Sequence, residues 1–229
     1  MDTSDVCVVV PVLNEASVLE GVLVRLGDHF DHIICVDDGS TDGSADIAAA
    51  AGATVLRHAV NLGQGAALQT ALEFVTTRTD FQYVVTFDGD GQHDPADALA
   101  MVRVAREQGV EVVLGSRSIG AVVDQPASRR LLLRAGLRFT RLTTGLQVTD
   151  THNGLRVLSR SAAARIRLRQ RGMAYASELE GAIATLGLAW VEVPVKITYT
   201  DYSRSKGQRN LNAVNVLFDL LVARLRAAS

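Results

Sequence analysis

Short apolar runs alternate with segments of helical periodicity along the first half of the chain. Residues 6–12 are almost continuously apolar, which is typical of a parallel strand covered on both faces. Further apolar runs predict strands at residues 32–36, 53–56, 84–87 and 110–114. Apolar residues at helical spacing predict helices at residues 18–26, 44–51, 66–77 and 95–108.

The second half is less regular. We predict a basic helix at 128–144, a loop at 149–156 entering a short strand, a helix at 176–186, a strand at 190–198, a polar segment at 199–209 and a terminal helix at 211–225. No internal repeat or Pro/Ser-rich linker interrupts the chain, so we expect a single domain over 1–229.

Each predicted strand of the first half ends in polar residues. Asp37 and Asp38 follow the second strand, Asn61 comes after the third and Asp88 follows the fourth. Right-handed crossovers bring the carboxyl ends of such strands to one edge of the sheet, where ligands bind. We therefore expect an α/β fold with a Rossmann-like, mostly parallel sheet flanked by helices, and a binding site at that edge.

The stretch from Asp88 to Pro95 suggests a metal site. Asp88 and Asp90 are two residues apart, so both carboxylates can reach one hard cation, and Gln92 adds a neutral oxygen. Gly89 leaves room for a close ligand. Mg²⁺ and Mn²⁺ prefer such oxygen donors and usually keep substrate phosphates as further ligands. An isolated Asp-x-Asp is more often a solvated turn, but the neighbouring acidic clusters favour the metal site.

Composition and motifs exclude several classes of protein. With 229 residues, 48% apolar content and a net charge of −2, the chain should be globular. No apolar run approaches the roughly 20 residues of a membrane span, and the acidic start is unlike a signal peptide, so we expect a cytoplasmic protein. Cys7 and Cys35 lie in apolar strands and should be buried, reduced thiols. A dinucleotide fingerprint, a Walker A motif and a serine-hydrolase elbow are all missing from the sequence.

Charge is distributed unevenly along the chain. Residues 1–102 contain three Lys and Arg against sixteen Asp and Glu, whereas residues 103–229 contain twenty against nine. Residues 117–171 alone hold twelve arginines. This asymmetry indicates one region for a metal and another for anions. Since aromatic residues are not interleaved with the arginines, a phosphate-bearing small or lipid substrate, or a membrane surface, is favoured over a nucleic acid.

Four groups of residues resemble the family 2 glycosyltransferases of GT-A fold. They are Pro11-x-x-Asn14-Glu15, Asp37-Asp38-Gly39-Ser40-Thr41-Asp42, Asn61-Leu62-Gly63 and Asp88-Gly89-Asp90-x-Gln92-His93-x-Pro95. Later pieces narrow the resemblance to the dolichyl-phosphate mannosyltransferase-like, polyprenyl-phosphate branch: Gly115-Ser116-Arg117, Asp150-x-x-x-Gly154-Leu155-Arg156, Glu178 and Ser205-Lys206. The resemblance covers nearly the whole chain. It implies a metal-dependent, inverting transfer of a sugar from a UDP- or GDP-sugar to a polyprenyl phosphate.

The resemblance also implies roles for individual residues. It assigns residues 1–117 to the nucleotide sugar and the metal, and residues 118–229 to the acceptor. Mg²⁺ or Mn²⁺ is expected on Asp88, Asp90 and Gln92. Binding of the nucleotide sugar and of substrate phosphates is expected from Pro11, Asn14, Glu15, Asp37, Asp38, Ser40, Asp88, Gly89, Asp90, Arg117, Arg134, Arg156 and Arg204. The residues expected to be catalytic are Asp90, Arg117, Asp150 and Lys206.

The acceptor side carries the open points. A phosphate acceptor is already anionic and needs no base, whereas a hydroxyl acceptor would need one, for which Asp150 is the first candidate and Glu178 the second. Relatives usually have a serine before the arginine of the basic helix, where this chain has Leu133. They also have an arginine where Thr200 stands, and Arg204 is the candidate replacement.

Two alternatives belong to other classes. One is a nucleotidyltransferase, although the glycine-rich loop with Arg and Lys of such enzymes is missing; the other is a catalytically silent module that recruits a membrane partner. The terminal helix at 211–225 has a broader apolar stripe than a helix on a soluble domain needs. We expect it either to pack in a homodimer or to meet the inner face of the membrane or a small membrane protein.

Overall fold

Strands and helices alternate in a computed structural model that describes residues 1–119, 146–150, 153–172 and 174–198. Strands β1 to β7 are Val6–Val12, Ile33–Asp37, Thr54–Arg57, Tyr83–Thr86, Val112–Ser116, Arg156–Ser159 and Trp190–Pro194. Helices α1 to α6 are Ala16–Gly27, Ser44–Ala50, Gln64–Arg78, Pro95–Gln108, Arg160–Arg165 and Tyr175–Leu186.

The seven strands form one sheet in the order β3-β2-β1-β4-β6-β5-β7. Strand β6 lies between β4 and β5 and runs antiparallel to both. All other neighbouring pairs are parallel. The mostly parallel α/β sheet expected from the sequence is therefore confirmed. The reversed strand places Arg156 directly opposite Thr86, so a residue from late in the chain lies beside the end of β4.

The core fills both faces of the sheet. Along β1, Cys7 and Val9 pack with α3, α5 and α6, whereas Val8 and Val10 pack with α1, α2 and α4. All four side chains are fully buried. This two-sided burial explains why β1 is apolar at every position rather than at every second one.

Local signals locate most element boundaries. Helix α4 begins at Pro95 and ends at Gln108 as predicted, and the Asp94 side chain accepts a hydrogen bond from the Ala96 N–H at 3.0 Å. Gly43 occupies the capping position of α2 with a left-handed φ of 87°. The preceding Asp42 accepts hydrogen bonds from the first backbone N–H groups of both α1 and α2.

Several predictions concern residues outside the described ranges. These are the basic helix at 128–144, the polar segment at 199–209 and the terminal helix at 211–225, together with Arg134, Arg204 and Lys206. The predicted strand at 190–198 is shorter in the structure, where β7 ends at Pro194. Of the helices within the described ranges, none combines the length and the apolar character that crossing a membrane would require.

Candidate active site

The carboxyl ends of β1, β2 and β4 lie at the same edge of the sheet. Strand β1 is parallel to both neighbours, with Val12 beside Asp37 and Val9 beside Thr86. Asp37 is the last residue of β2, and Asp88 comes two residues after the end of β4. The acidic groups singled out in the sequence are therefore brought together at one edge.

Asp88 is held from both sides. Gln64, the first residue of α3, donates a hydrogen bond to Asp88 Oδ1 at 3.1 Å, and His93 Nε2 lies 3.1 Å from Asp88 Oδ2. Burial alone would raise the pKa of Asp88, but the His93 hydrogen bond and the charges of His93 and Arg156 lower it overall. Asp88 is thus a fixed, ionised carboxylate.

Asp90 has a different environment. Its Oδ1 accepts a hydrogen bond from the Gln92 N–H at 3.1 Å, which closes the turn around Gly91. Burial, followed by the charge of Asp88, raises the pKa of Asp90 to about 6. Two neighbouring carboxylates that repel each other in this way are suited to a cation between them. Within the described residues, no group of three or more His, Cys, Asp or Glu side chains could hold a metal ion by itself.

The turns after β1 and β2 are joined by hydrogen bonds. Asn14, which has a left-handed φ of 54°, donates its N–H to Ser40 Oγ and accepts the Thr41 N–H on its side-chain oxygen, both at 3.0 Å. The Glu15 N–H donates to Ser44 Oγ at 2.9 Å. Asn14 and Ser40 therefore shape this edge by supporting each other.

Pro11 and Glu15 border the turn that carries Asp90. A methyl group built on Gly89 would lie 3.6 Å from the Pro11 carbonyl oxygen and 3.8 Å from Glu15 Cγ. The charge of Glu15 contributes to the raised pKa of Asp90, after the larger effects of burial and Asp88. The residues expected to bind the donor after β1 thus adjoin the expected metal ligands.

The two adjacent carboxylates after β2 have different partners. Asp37 Oδ1 accepts the Ser40 N–H at 3.1 Å, and its Oδ2 lies 3.1 Å from Nε of the exposed Arg57. Asp38 accepts hydrogen bonds from His58 Nδ1 at 2.7 Å and from the N–H groups of the next loop, at residues 62 and 63. Asp38 is therefore engaged in holding that loop, whereas Asp37 lies beside an exposed guanidinium.

Among the residues that the sequence analysis links to the acceptor, Arg117 and Asp150 form a bidentate ion pair. Arg117 Nε and Nη2 donate to the two oxygens of Asp150 at 2.7 and 2.6 Å, and the Arg117 N–H adds a third bond at 2.8 Å. Glu192 of β7 accepts the N–H groups of Thr149 and Asp150, which fixes the backbone that carries this carboxylate. The candidate base is thus bound to a candidate phosphate ligand.

Arg156 lies below the surface of the site. Its side chain is buried, with the guanidinium carbon 5.5 Å from the centre of the Tyr175 ring and Nη1 3.5 Å from the Tyr175 hydroxyl. Burial opposes its charge, but Tyr175, Glu180 and Asp88 outweigh burial and raise the pKa of Arg156. The structure therefore places Arg156 in a buried charge network beneath Asp88.

Glu178, the second candidate base, supports a loop. Its Oε2 accepts the N–H groups of Arg169 and Gln170, each at 2.8 Å. Sequence reasoning missed the contacts of Gln64, Tyr175 and Glu192. Gln64 alone had a readable signal, because it follows a strand end and begins a helix, as the other site residues do.

Comparisons with known proteins agree with this geometry. The family model described as glycosyl transferase family 2 matches residues 7–167. An uncharacterized protein of Methanocaldococcus jannaschii is 33% identical, over 98% of this chain and 94% of its own length. The UDP-N-acetylglucosamine–dolichyl-phosphate N-acetylglucosaminyltransferase of Methanococcus voltae is 29% identical, over 95% of each chain.

A solved structure shares the fold. Glucosyl-3-phosphoglycerate synthase from Mycobacterium tuberculosis, in complex with Mg²⁺ and uridine diphosphate, superposes with a TM-score of 0.69. The match covers 95% of this chain and 78% of the other, at 23% sequence identity. At this level of sequence identity, the similarity shows that the two proteins share the arrangement of sheet and helices.

Proposed function

The chain belongs to glycosyl transferase family 2 and is a glycosyltransferase of GT-A fold, and on that premise we propose that it moves a sugar from a UDP-sugar to a polyprenyl phosphate. An oxygen of the acceptor phosphate bonds to the anomeric carbon while the bond from that carbon to the UDP oxygen breaks. UDP leaves with the electron pair, and the configuration of the anomeric carbon inverts.

The ion pair between Arg117 and Asp150 carries this proposal. Both oxygens of Asp150 accept hydrogen bonds from Arg117, at 2.6 and 2.7 Å, so this carboxylate is poorly placed to remove a proton from a hydroxyl. Glu178 accepts two backbone N–H groups on Oε2 and so supports the loop at residues 169–170. A phosphate acceptor, which is already anionic, needs neither of them as a base. Asp150 in turn holds the Arg117 guanidinium, a group whose planar shape suits a phosphate, in one orientation.

The donor is assigned to the opposite side of the edge. Pro11, Glu15 and Gly89 adjoin one another, and Asp37 lies at the end of the neighbouring strand. The uracil ring carries an N–H group that can donate a hydrogen bond to a carboxylate such as that of Asp37. A UDP-sugar, rather than a GDP-sugar, is supported by the name of the M. voltae relative and by the uridine diphosphate in the M. tuberculosis structure.

Asp88 and Asp90 fit a divalent cation. Their mutual repulsion raises the pKa of Asp90 in addition to the effect of burial, and a cation of this kind usually takes substrate phosphates as its remaining ligands. When bound, Mg²⁺ or Mn²⁺ would neutralise the charge that develops on the leaving diphosphate. Gln64 and His93 hold Asp88 in place for that ligand.

The test is transfer of radiolabelled sugar from UDP-sugars to a detergent-solubilised polyprenyl phosphate, with Mn²⁺ or with EDTA. We expect lipid-linked product with one UDP-sugar only when the metal is present. Asp90→Asn should abolish both turnover and the metal-dependent thermal shift caused by UDP, whereas Asp80→Asn, at an exposed loop position, should change neither.

Three results would contradict the proposal. Turnover at the wild-type rate in EDTA would exclude the metal. Transfer only to hydroxyl acceptors would exclude the phosphate acceptor. A thermal shift with GDP-sugars and none with UDP-sugars would exclude the assigned donor.

A further inference from the structure

Four arginines at alternate positions form an exposed row that we call the arginine stripe: Arg165, Arg167, Arg169 and Arg171. Between them, Ile166 is 0% exposed and Leu168 is 6% exposed, and both belong to the core on the α3 side of the sheet. Side chains two residues apart lie on the same side of an extended backbone. Arg165 is the last residue of α5, and the chain leaves the helix at Ile166 in an extended conformation, with φ of −70° and ψ of 135°.

The backbone of the arginine stripe is held firmly against the domain. Gln69 of α3 accepts the Leu168 N–H at 2.8 Å, and Glu178 of α6 accepts the next two N–H groups. At the far end, the Gly65 N–H donates to the Arg171 carbonyl oxygen at 2.9 Å. The stripe is therefore a preorganised surface.

Its positive charge is little compensated. The sequence has no acidic residue between Asp150 and Glu178. Arg165 lies 3.4 Å from Glu111 but keeps 45% of its side chain exposed, and the closest contacts of Glu178 are to backbone N–H groups. Six residues of chain span at most about 20 Å, so neighbouring charges of the stripe lie within about one Debye length at physiological salt and add their potentials.

The stripe ends next to the candidate active site. The Arg171 carbonyl oxygen and the Gln170 carbonyl oxygen pack so closely on Gly63 and Gly65 that neither glycine could carry a side chain without a shift. Gln64, between those glycines, donates the hydrogen bond to Asp88. A surface that binds the stripe therefore lies beside the edge of the sheet where transfer is proposed.

We propose that the arginine stripe docks the protein on an anionic membrane surface, with the active edge beside the bilayer. The choice of a membrane rests on the proposed function, because a polyprenyl phosphate resides in the bilayer. The row keeps its positive charge although Arg165 is paired with Glu111 and Arg167 donates hydrogen bonds to the carbonyl oxygens of residues 164 and 166. Anionic headgroups match this charge, and juxtaposed arginines bind them additively. The stripe carries no interleaved aromatic residue of the kind that stacks on nucleic-acid bases.

The experiment is flotation with vesicles of phosphatidylcholine alone or with about one-third phosphatidylglycerol, without donor or acceptor. Wild-type protein should float only with the anionic vesicles and should be released by high salt. Arg169→Gln with Arg171→Gln should weaken vesicle binding about 25-fold, since each arginine near such a surface contributes about fivefold. The control, Arg78→Gln with Arg103→Gln, removes two exposed arginines elsewhere and should bind as wild type.

The outcomes separate this inference from the proposed function. Wild-type flotation without any transfer in detergent would leave the docking surface standing and reject the proposed reaction. Transfer in detergent with no flotation would reject the docking surface. Equal losses in the two double variants, or salt-sensitive binding of RNA with none to vesicles, would also overturn it. The stripe variant should keep its wild-type transfer rate in detergent, which excludes misfolding as the cause.

Discussion

Replacement of Gly154 by alanine should disturb Asp88 directly. A methyl group on Gly154 would overlap the Asp88 carboxylate, its Cγ and both of its oxygens. The Gly154 backbone has little freedom to withdraw, because its carbonyl oxygen accepts a hydrogen bond from the buried Thr86 hydroxyl at 2.6 Å. The carboxylate must therefore move away, and it would lose the bonds from Gln64 and His93.

The expected loss of stability in Gly154→Ala follows from the overlap with Asp88 and from the two hydrogen bonds that Asp88 would lose. Inserting a methyl group into a packed site costs about 1–3 kcal/mol, and weakening hydrogen bonds to a charged group adds to it. We expect a loss of about 3 kcal/mol, which for a protein of this size lowers Tm by roughly 6–12 °C. Displacing a proposed metal ligand should also reduce metal-dependent UDP binding by at least about tenfold, which corresponds to 1.4 kcal/mol.

The measurement is a thermal melt in EDTA and then a titration with UDP in the presence of Mn²⁺. Gly21→Ala is the matched control, since a methyl group there meets no atom within 4 Å and the position lies within α1. That variant should be unchanged or more stable by about 0.5–1 kcal/mol, because alanine favours helix. A Gly154→Ala variant with wild-type Tm and UDP affinity would refute the packing of Asp88 on Gly154.

Two further predictions concern stability and reactivity. Burial, with smaller effects of Cys35 on Cys7 and of Asp37 on Cys35, raises the pKa of both thiols to about 12. Neither should react with iodoacetamide in the folded protein at about pH 8. Since unfolded thiols ionise near 9.0, stability should fall as the pH rises from there towards 12, and rapid native labelling would disprove the burial. Arg160 donates hydrogen bonds to three backbone carbonyl oxygens at the end of α3 and before β4. Arg160→Gln should therefore lower the free energy of unfolding in urea by about 2 kcal/mol. An unchanged urea midpoint would count against those hydrogen bonds.

Periodicity predicted the strands because it reflects burial within each segment. Residues of β1 alternate between two core faces that are both dry, so a continuous apolar run was a sufficient signal. The antiparallel direction of β6 was not predicted. The sequence of β6, Arg156–Ser159, does not indicate whether the strand is parallel or antiparallel to its neighbours. That direction depends on the segments that precede the strand and on which edge of β4 is open.

The position of the candidate site in the fold could be predicted from the rule that ligands bind at the carboxyl ends of parallel strands. Strand ends at one edge of the sheet brought together Asp37, Asp88 and Asp90. The rule identifies which residues reach the edge but not which ones face a ligand. Asp38 reaches the edge but accepts three hydrogen bonds from other protein groups, and Arg156 is buried. The rule misses both facts because the groups around each residue are distant in sequence.

Asp88 connects the two halves that the sequence assigns to donor and acceptor. From the first half it receives hydrogen bonds from Gln64 and His93. From the second half it receives the packing of Gly154 and the charge of Arg156, because β6 is inserted between β4 and β5. The expected division near residue 117 therefore does not mark two folding units, because the environment of the proposed metal ligand is complete only when the later strand has paired. Substitutions on either side of that division should therefore alter the position of Asp88 at the proposed donor site.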